Sequence, residues 1–206
     1  MIRIGYKRCE YDCCVYVNSL DDNSSIFLLL YVDDMLIVAK SMIEVNKLKY
    51  LLSKEFDMKD LGATKKILGM EIHMDRALGR LWLSQHSYVK RVLEKFNMDN
   101  VKPISTPLAN HFRLSTNQCP KTNDEVKDMS KVPYASAVGC LMYAMVCTRL
   151  DLAHAVSVVS KFLSNLGRMG CYVVKWIFRY LRGTIDYGIM FNKRSTTGYV
   201  YHAIYY

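Results

Sequence analysis

Apolar residues in the first forty positions come in short runs separated by turn formers, the pattern of β-strands. Residues 13–17 form a β-branched and aromatic run, 18–24 (NSLDDNS) a polar turn cluster, and 25–31 a second run. Residues 32–34 turn the chain again and 35–39 return it, which predicts two hairpins in succession. From Ser41 the period lengthens to that of a helix: Val45, Leu48, Leu51 and Leu52 share one face as far as Phe56. Ser41 with Glu44 three positions on fits a capping box. Leu61-Gly62 reads as a break, 64–73 as one strand, 76–80 as a turn around Gly79, and 81–83 as a short return strand. Ser84 is placed to cap a second helix, whose apolar stripe is Tyr88, Val89, Val92, Leu93 and Phe96.

Periodicity dissolves between residues 97 and 132, among Pro103, Pro107, Pro120 and many Ser, Thr and Asn residues. That composition predicts a long loop or linker and the best domain boundary. Helical patterns follow over 134–148, 151–163 and 170–181, with Asp151 near the positive end of the middle one and Gly183 as a stop for the last. Residues 187–191 are strand-like, and 192–206 show no packing pattern. The elements together predict an α+β chain.

Composition narrows the class without naming a chemistry. A chain of 206 residues with 51% apolar side chains can bury a real core, so wholesale disorder is excluded. Apolar stretches fall far short of the ~18 residues that span a bilayer. The basic N-terminus has no long apolar region behind it, so a secretory signal is not supported and a cytoplasmic or nuclear protein is expected. The seven cysteines lack paired zinc-ligand spacing and read as reduced thiols acting as small buried hydrophobes. Charge is unevenly spread: residues 1–39 carry a net −3, 40–102 a net +5, 103–160 a net +1 and 161–194 a net +6, for +9 overall. The two basic segments suit a polyanion, although a solvated face has the same composition.

Asp33 and Asp34 interrupt the apolar run IFLLLYVDDMLIVA. Adjacent carboxylates repel and lose hydration beside an apolar wall, and a hard divalent cation such as Mg²⁺ removes both penalties. A solvated hairpin turn is the competing reading, since Asp is an ordinary turn residue.

The ordered motifs resemble one family. Tyr31-Val32-Asp33-Asp34 with its hydrophobic flanks is similar to the YxDD hairpin of reverse transcriptases, and the wider pattern resembles the copia-type LTR-retrotransposon polyprotein. Supporting it in order are Lys59-Asp60-Leu61-Gly62, Leu68-Gly69-Met70-Glu71-Ile72, Ser105-Thr106-Pro107-Leu108, Tyr134-Ala135-Ser136-Ala137-Val138-Gly139, Met145-Val146-Cys147-Thr148-Arg149 and Val174-Lys175-Trp176-Ile177-Phe178-Arg179-Tyr180-Leu181-Arg182-Gly183-Thr184.

The resemblance implies a partial palm with the YVDD hairpin and primer-grip-like strands over 1–96. It further implies a linker over 97–132, a helical thumb- or connection-like region over 133–191, and a remnant of the RNase H start over 192–206 without a partner sheet. It implies that Asp33 and Asp34 are catalytic metal ligands of a two-Mg²⁺ nucleotidyl-transfer site, with Tyr31 near the primer terminus. Lys175, Arg179 and Arg182 would contact the backbone of an RNA or DNA template–primer duplex, while Trp176 and Phe178 are expected to be packed. Glu10, Asp12, Asp21 and Asp22 stand in contexts unlike the family's upstream catalytic Asp. The expectation is therefore a truncated RNA-directed DNA polymerase, inactive alone, that uses a dNTP only if the missing palm and fingers are supplied. A non-catalytic nucleic-acid-binding remnant and a functionless pseudogene product are the alternatives.

Overall fold

The computed structural model describes residues 5–21, 23–32, 34–75, 77–115, 118–163, 167–192 and 200–205, the last group for backbone only. The chain divides into two units, Met1–Trp82 with Met190–Tyr206, and Leu83–Ile189. The linker expected at 97–132 thus lies inside the second unit, and its composition mimics a boundary for reasons given below.

The first unit is built on an antiparallel sheet. Strands β1 (Lys7–Arg8), β2 (Val15–Ser19), β3 (Ser25–Tyr31) and β4 (Asp34–Ala39) follow one another as hairpins. Helix α1 (Met42–Ser53) comes next, then β5 (Lys59–Ala63). Ile26 and Leu28 of β3 and Met35, Ile37 and Ala39 of β4 are buried with Val45, Leu48 and Leu52 of α1. Each of these side chains except that of Ala39 is worth about 1.5–3 kcal/mol when fully buried. Leu51, expected on that stripe, is 45% exposed. Ser41 Oγ caps α1 by accepting from the Ile43 amide at 3.2 Å, but Glu44 turns outward to Lys47 at 2.8 Å, so no capping box forms there.

Glycine explains two further differences. Leu61-Gly62 does not break the chain: it lies within β5, where the ladder register shifts and Gly62 takes a φ of 72°. A glycine in the left-handed region is what a β-bulge of this kind uses. The single strand expected over 64–73 is a hairpin, β6 (Lys66–Ile67) and β7 (Met70–Asp75), with Ile67 facing Met70. Leu68 and Gly69 both have positive φ, as a type I′ turn requires. Strand β8 (Arg80–Ser84) follows, and it joins β6, β7 and β9 (Gly188–Asn192) in a four-stranded sheet.

The end of the chain is also a correction. Residues Val200–Tyr205 form β10, which lies between β4 and β5, giving the order β1-β2-β3-β4-β10-β5. Its sequence, VYHAIY, is rich in the β-branched and aromatic residues that suit a strand. The outer edge of β4 would otherwise be left with unpaired backbone groups. Residues 193–199 of the expected remnant lie outside the described residues.

The second unit is helical: α2 (His86–Lys95), α3 (Asn123–Ser130), α4 (Tyr134–Cys147), α5 (Ala153–Ser160) and α6 (Arg168–Gly183), with a 3₁₀ turn at Leu150–Leu152. Val89 and Leu93 of α2, Val138 and Leu141 of α4, Val156 and Val159 of α5, and Val173 and Ile177 of α6 form its core. Ser84 ends β8, so the residue flanking α2 is Gln85, which makes no side-chain cap. The capping box is instead at α3, inside the expected linker. Thr122 Oγ1 accepts from the Glu125 amide, and the Glu125 carboxylate accepts from the Thr122 amide. Hydrogen bonds from the Lys121 and Thr122 amides hold the Glu125 carboxyl below its ordinary pKa.

The Pro-rich stretch is laced to α6 rather than free. Trp176 Nε1 donates to the Thr106 carbonyl at 2.9 Å, Arg179 Nε to Lys102 at 2.9 Å, and Arg182 Nε to Asp99 at 2.6 Å. The donors recur every three residues along α6 and bond carbonyls three to four residues apart in the segment, in reverse order. At Gly183 the segment comes so close that an added Cβ would lie 2.9 Å from the Pro103 side chain. Prolines erase the periodicity that sequence reading depends on, while the segment's carbonyls still find partners. Changing Trp176→Phe, Arg179→Ala and Arg182→Ala together is expected to cost about 1 kcal/mol per bond. Hydrogen exchange should then quicken across residues 98–108; unchanged exchange would show that these bonds do not hold the segment.

Candidate functional site

Tyr31 faces Asp34 across the β3–β4 ladder, which leaves a two-residue hairpin connection. The flanking strands fix it, because Leu28 and Ile37 pair directly and are both fully buried. Tyr31 is 52% exposed, Asp34 is half-buried at the start of an interior strand, and Tyr205 pairs with Asp34 on the other side. Asp33, the first of the two expected metal ligands, lies outside the described residues. Val32 has a φ of 52° and is 87% exposed. A β-branched residue in the left-handed region stores strain of order 1–3 kcal/mol. No packing is lost by changing it, so Val32→Asn is expected to raise stability by about 1 kcal/mol, read from the urea midpoint. A lower midpoint would show that Val32 is not strained.

A carboxylate at this position supplies hard oxygen donors of the kind Mg²⁺ takes, and Mg²⁺ commonly uses one or two protein carboxylates plus water and substrate phosphates. Among the described residues, the one gathered set of three ligand-bearing side chains is elsewhere. It is Asp12, Cys13 and Cys14, with ligand atoms within 4.8 Å of one another. The seven cysteines are free thiols, but none is fully buried, and Cys13 is exposed.

The cations expected to meet nucleic acid sit together on α6, but two have structural bonds as well. Arg179 and Arg182 hold the Pro-rich segment through their Nε atoms, and Lys175 is exposed. Trp176 and Phe178 are packed as expected: Phe178 stacks on Phe96 at 5.1 Å, and Trp176 meets Phe112 edge-on at 5.3 Å. Lys175, Trp176 and Arg179 line an open cavity of about 1010 Å³, whereas Arg182 lines a separate one of about 350 Å³.

Sequence reading missed a buried arginine that makes four side-chain hydrogen bonds. Arg149 is 1% exposed. It donates to Asp151 through Nε at 3.0 Å and Nη2 at 2.7 Å, and to the Thr184 carbonyl and Oγ1 at 3.0 and 2.6 Å. Its guanidinium lies 5.6 Å from the Tyr180 ring and 5.4 Å from the Tyr187 ring. Asp151 also accepts from the Tyr180 hydroxyl at 2.8 Å. Burial works against the charged carboxylate, but the hydrogen bonds from Arg149 and Tyr180 outweigh it and hold the Asp151 pKa below the ordinary value. Beside this network, Thr148 Oγ1 donates to the fully buried Gln85 Oε1 at 2.7 Å. An arginine at the end of an apolar helix with an aspartate two residues on was the available signal.

Residues 1–110 match the family model described as reverse transcriptase (RNA-dependent DNA polymerase). The chain belongs to that family. The retrovirus-related Pol polyprotein from transposon TNT 1-94 of Nicotiana tabacum is 52% identical over 216 residues, 95% of this chain and 16% of the polyprotein. An uncharacterized mitochondrial protein of Arabidopsis thaliana is 34% identical over 82% of this chain and 66% of its own length. The retrovirus-related Pol polyprotein from transposon RE1 of Arabidopsis thaliana is 32% identical over 95% of this chain and 13% of the polyprotein. No solved structure matches. The copia-type reverse transcriptase resemblance is thereby borne out, and the chain spans about a sixth of the TNT 1-94 polyprotein. Among the described residues, no helix of this reverse transcriptase relative is long and apolar enough to cross a membrane.

Proposed function

We propose that the chain is the YVDD-bearing part of an RNA-directed DNA polymerase, and that its nucleotidyl-transfer site is completed by a carboxylate and fingers residues outside these 206 positions. The observation that carries this reading is the Tyr31–Asp34 hairpin, which the family match includes and which an interior strand holds in place. In this reading the first unit is palm, and the helical unit is thumb or connection. Asp33 and Asp34 hold Mg²⁺, and Tyr31 lies near the primer terminus. Bound there, Mg²⁺ ions would supply Lewis-acid activation of the primer 3′-hydroxyl and charge stabilisation at the dNTP phosphates. The protein's own part is to hold the Asp34 carboxylate at the start of an interior strand, next in sequence to Asp33, while Lys175, Arg179 and Arg182 contribute sequence-independent attraction to the template–primer backbone. Seven free thiols suit the reducing cytoplasm or nucleus.

The test is RNA-templated primer extension. The chain alone is expected to extend no primer with Mg²⁺ or Mn²⁺. Joined to the segment that precedes the aligned region in the Nicotiana tabacum polyprotein, it is expected to extend one. Extension by the isolated chain that disappears in Asp33→Ala would overturn the claim that outside residues complete the site. A second reading, a non-catalytic nucleic-acid-binding module, rests on the basic face of α6 and predicts salt-sensitive binding without extension.

A further inference from the structure

The cavity of about 1010 Å³ in the helical unit combines two of the cations assigned above to the template–primer with residues that assignment leaves unused. Arg113, Lys175 and Arg179 line it, and no Asp or Glu is among its described lining residues. Aromatic rings share the same walls. Tyr172 is 62% exposed and stands one helical turn before Trp176 on α6, so the two rings present to the same side. His111 lies across from them, 5.9 Å from Trp176 and perpendicular to it. Arg179 is drawn over the Trp176 ring at 5.4 Å while its Nε is held by the Lys102 carbonyl, which fixes both the cation and the ring.

Cations without acids attract a phosphate backbone, and the exposed Tyr172 ring beside them offers a stacking surface to a base. A duplex hides its base faces, whereas a single strand presents both features at once. We infer that this groove binds a single nucleic-acid strand, with bases stacking on Tyr172 and phosphates meeting Lys175 and Arg113. For the polyanion's identity the inference rests on the reverse transcriptase reading; for its unpaired state it rests on the exposed ring.

Fluorescence anisotropy with labelled 12-nucleotide RNA and DNA strands, on the full 206-residue chain, tests it. At least one strand should bind more than tenfold tighter than a blunt duplex of the same sequence. Tyr172→Ala should weaken that binding about tenfold without changing its salt dependence, and Tyr172→Phe should restore it. Lys175→Ala should lower the slope of log affinity against log salt by about 0.7. Both side chains are exposed, and an unchanged melting curve confirms that the variants fold. Equal binding of duplex and strand, no binding of either strand, or no effect of Tyr172→Ala overturns the proposal. So does polyglutamate competing as well as the oligonucleotide, which would make an acidic protein segment the occupant. The assay involves no catalysis: binding without any primer extension in the joined protein defeats the polymerase reading alone, and extension with Tyr172→Ala binding normally defeats this one alone.

Discussion

Asp151→Ala is expected to destabilise the helical unit by about 3 kcal/mol. Removing one member of a buried ion pair costs about 3–5 kcal/mol because the other charge stays behind without compensation. Here the charge left behind is Arg149, whose side chain is 1% exposed, while the Asp151 side chain is 34% exposed, which favours the lower end of that range. Thr184 would still accept from the guanidinium, but no anion would remain within the network. The double change Arg149→Met with Asp151→Ala should recover part of the loss, because no buried charge is then stranded. One tryptophan lies in each unit, so in a Trp82→Phe background the emission of Trp176 reports unfolding of the helical unit alone. A single change costing under about 0.5 kcal/mol would show that the pair is not structurally coupled.

The same pair has a pH signature. Asp151 titrates lower in the folded chain than its ordinary 3.8. Its ionised form therefore contributes fully above that value, and the contribution drains away as pH falls through the depressed folded one. The stability gap between the native chain and Asp151→Asn should be widest near neutrality and shrink from about pH 4 downward. A gap that stays constant to about pH 2 would assign the loss to packing instead.

What could be seen in the sequence was set by periodicity. The β3–β4 hairpin and α4 were legible because their apolar residues form strand- or helix-like runs that no proline interrupts. The β6–β7 turn was hidden because Leu68 occupies a left-handed position that favours other residues, so nothing marked the chain reversal. Glu44 and Glu125 stand in the same capping signature, yet only Glu125 completes it; Lys47, one turn on, takes Glu44 instead. Segment 97–108 looked like a linker because its order comes from hydrogen bonds made by α6, some seventy to eighty residues later, which no local pattern can carry. The Arg149 network was missed for the same reason, since Tyr180 and Thr184 meet it only through the fold. Of the candidate site, Tyr31 and Asp34 could be placed from their flanks, and Lys175, Arg179 and Arg182 from helical spacing. That two of those cations also brace the chain could not be read from spacing.

Losing the aspartate pair should have the largest effect of all. Metal ions at nucleotidyl-transfer sites supply several kcal/mol of transition-state stabilisation, and each 1.36 kcal/mol is tenfold in rate, so removing the two carboxylates proposed to hold them should slow extension by at least about 10³-fold. Asp33→Asn with Asp34→Asn keeps the side-chain volume and the hairpin while removing both charges. Melting of the sheet unit should therefore change little, and a loss of activity cannot be ascribed to unfolding. The deciding measurement is RNA-templated primer extension with Mg²⁺ by the chain joined to its tobacco relative's preceding segment, in native and doubly substituted form. Under the proposed metal-site reading, extension by the native form and a loss of about 10³-fold or more in the substituted one are expected. Equal extension by both, or none by the native form, would contradict it.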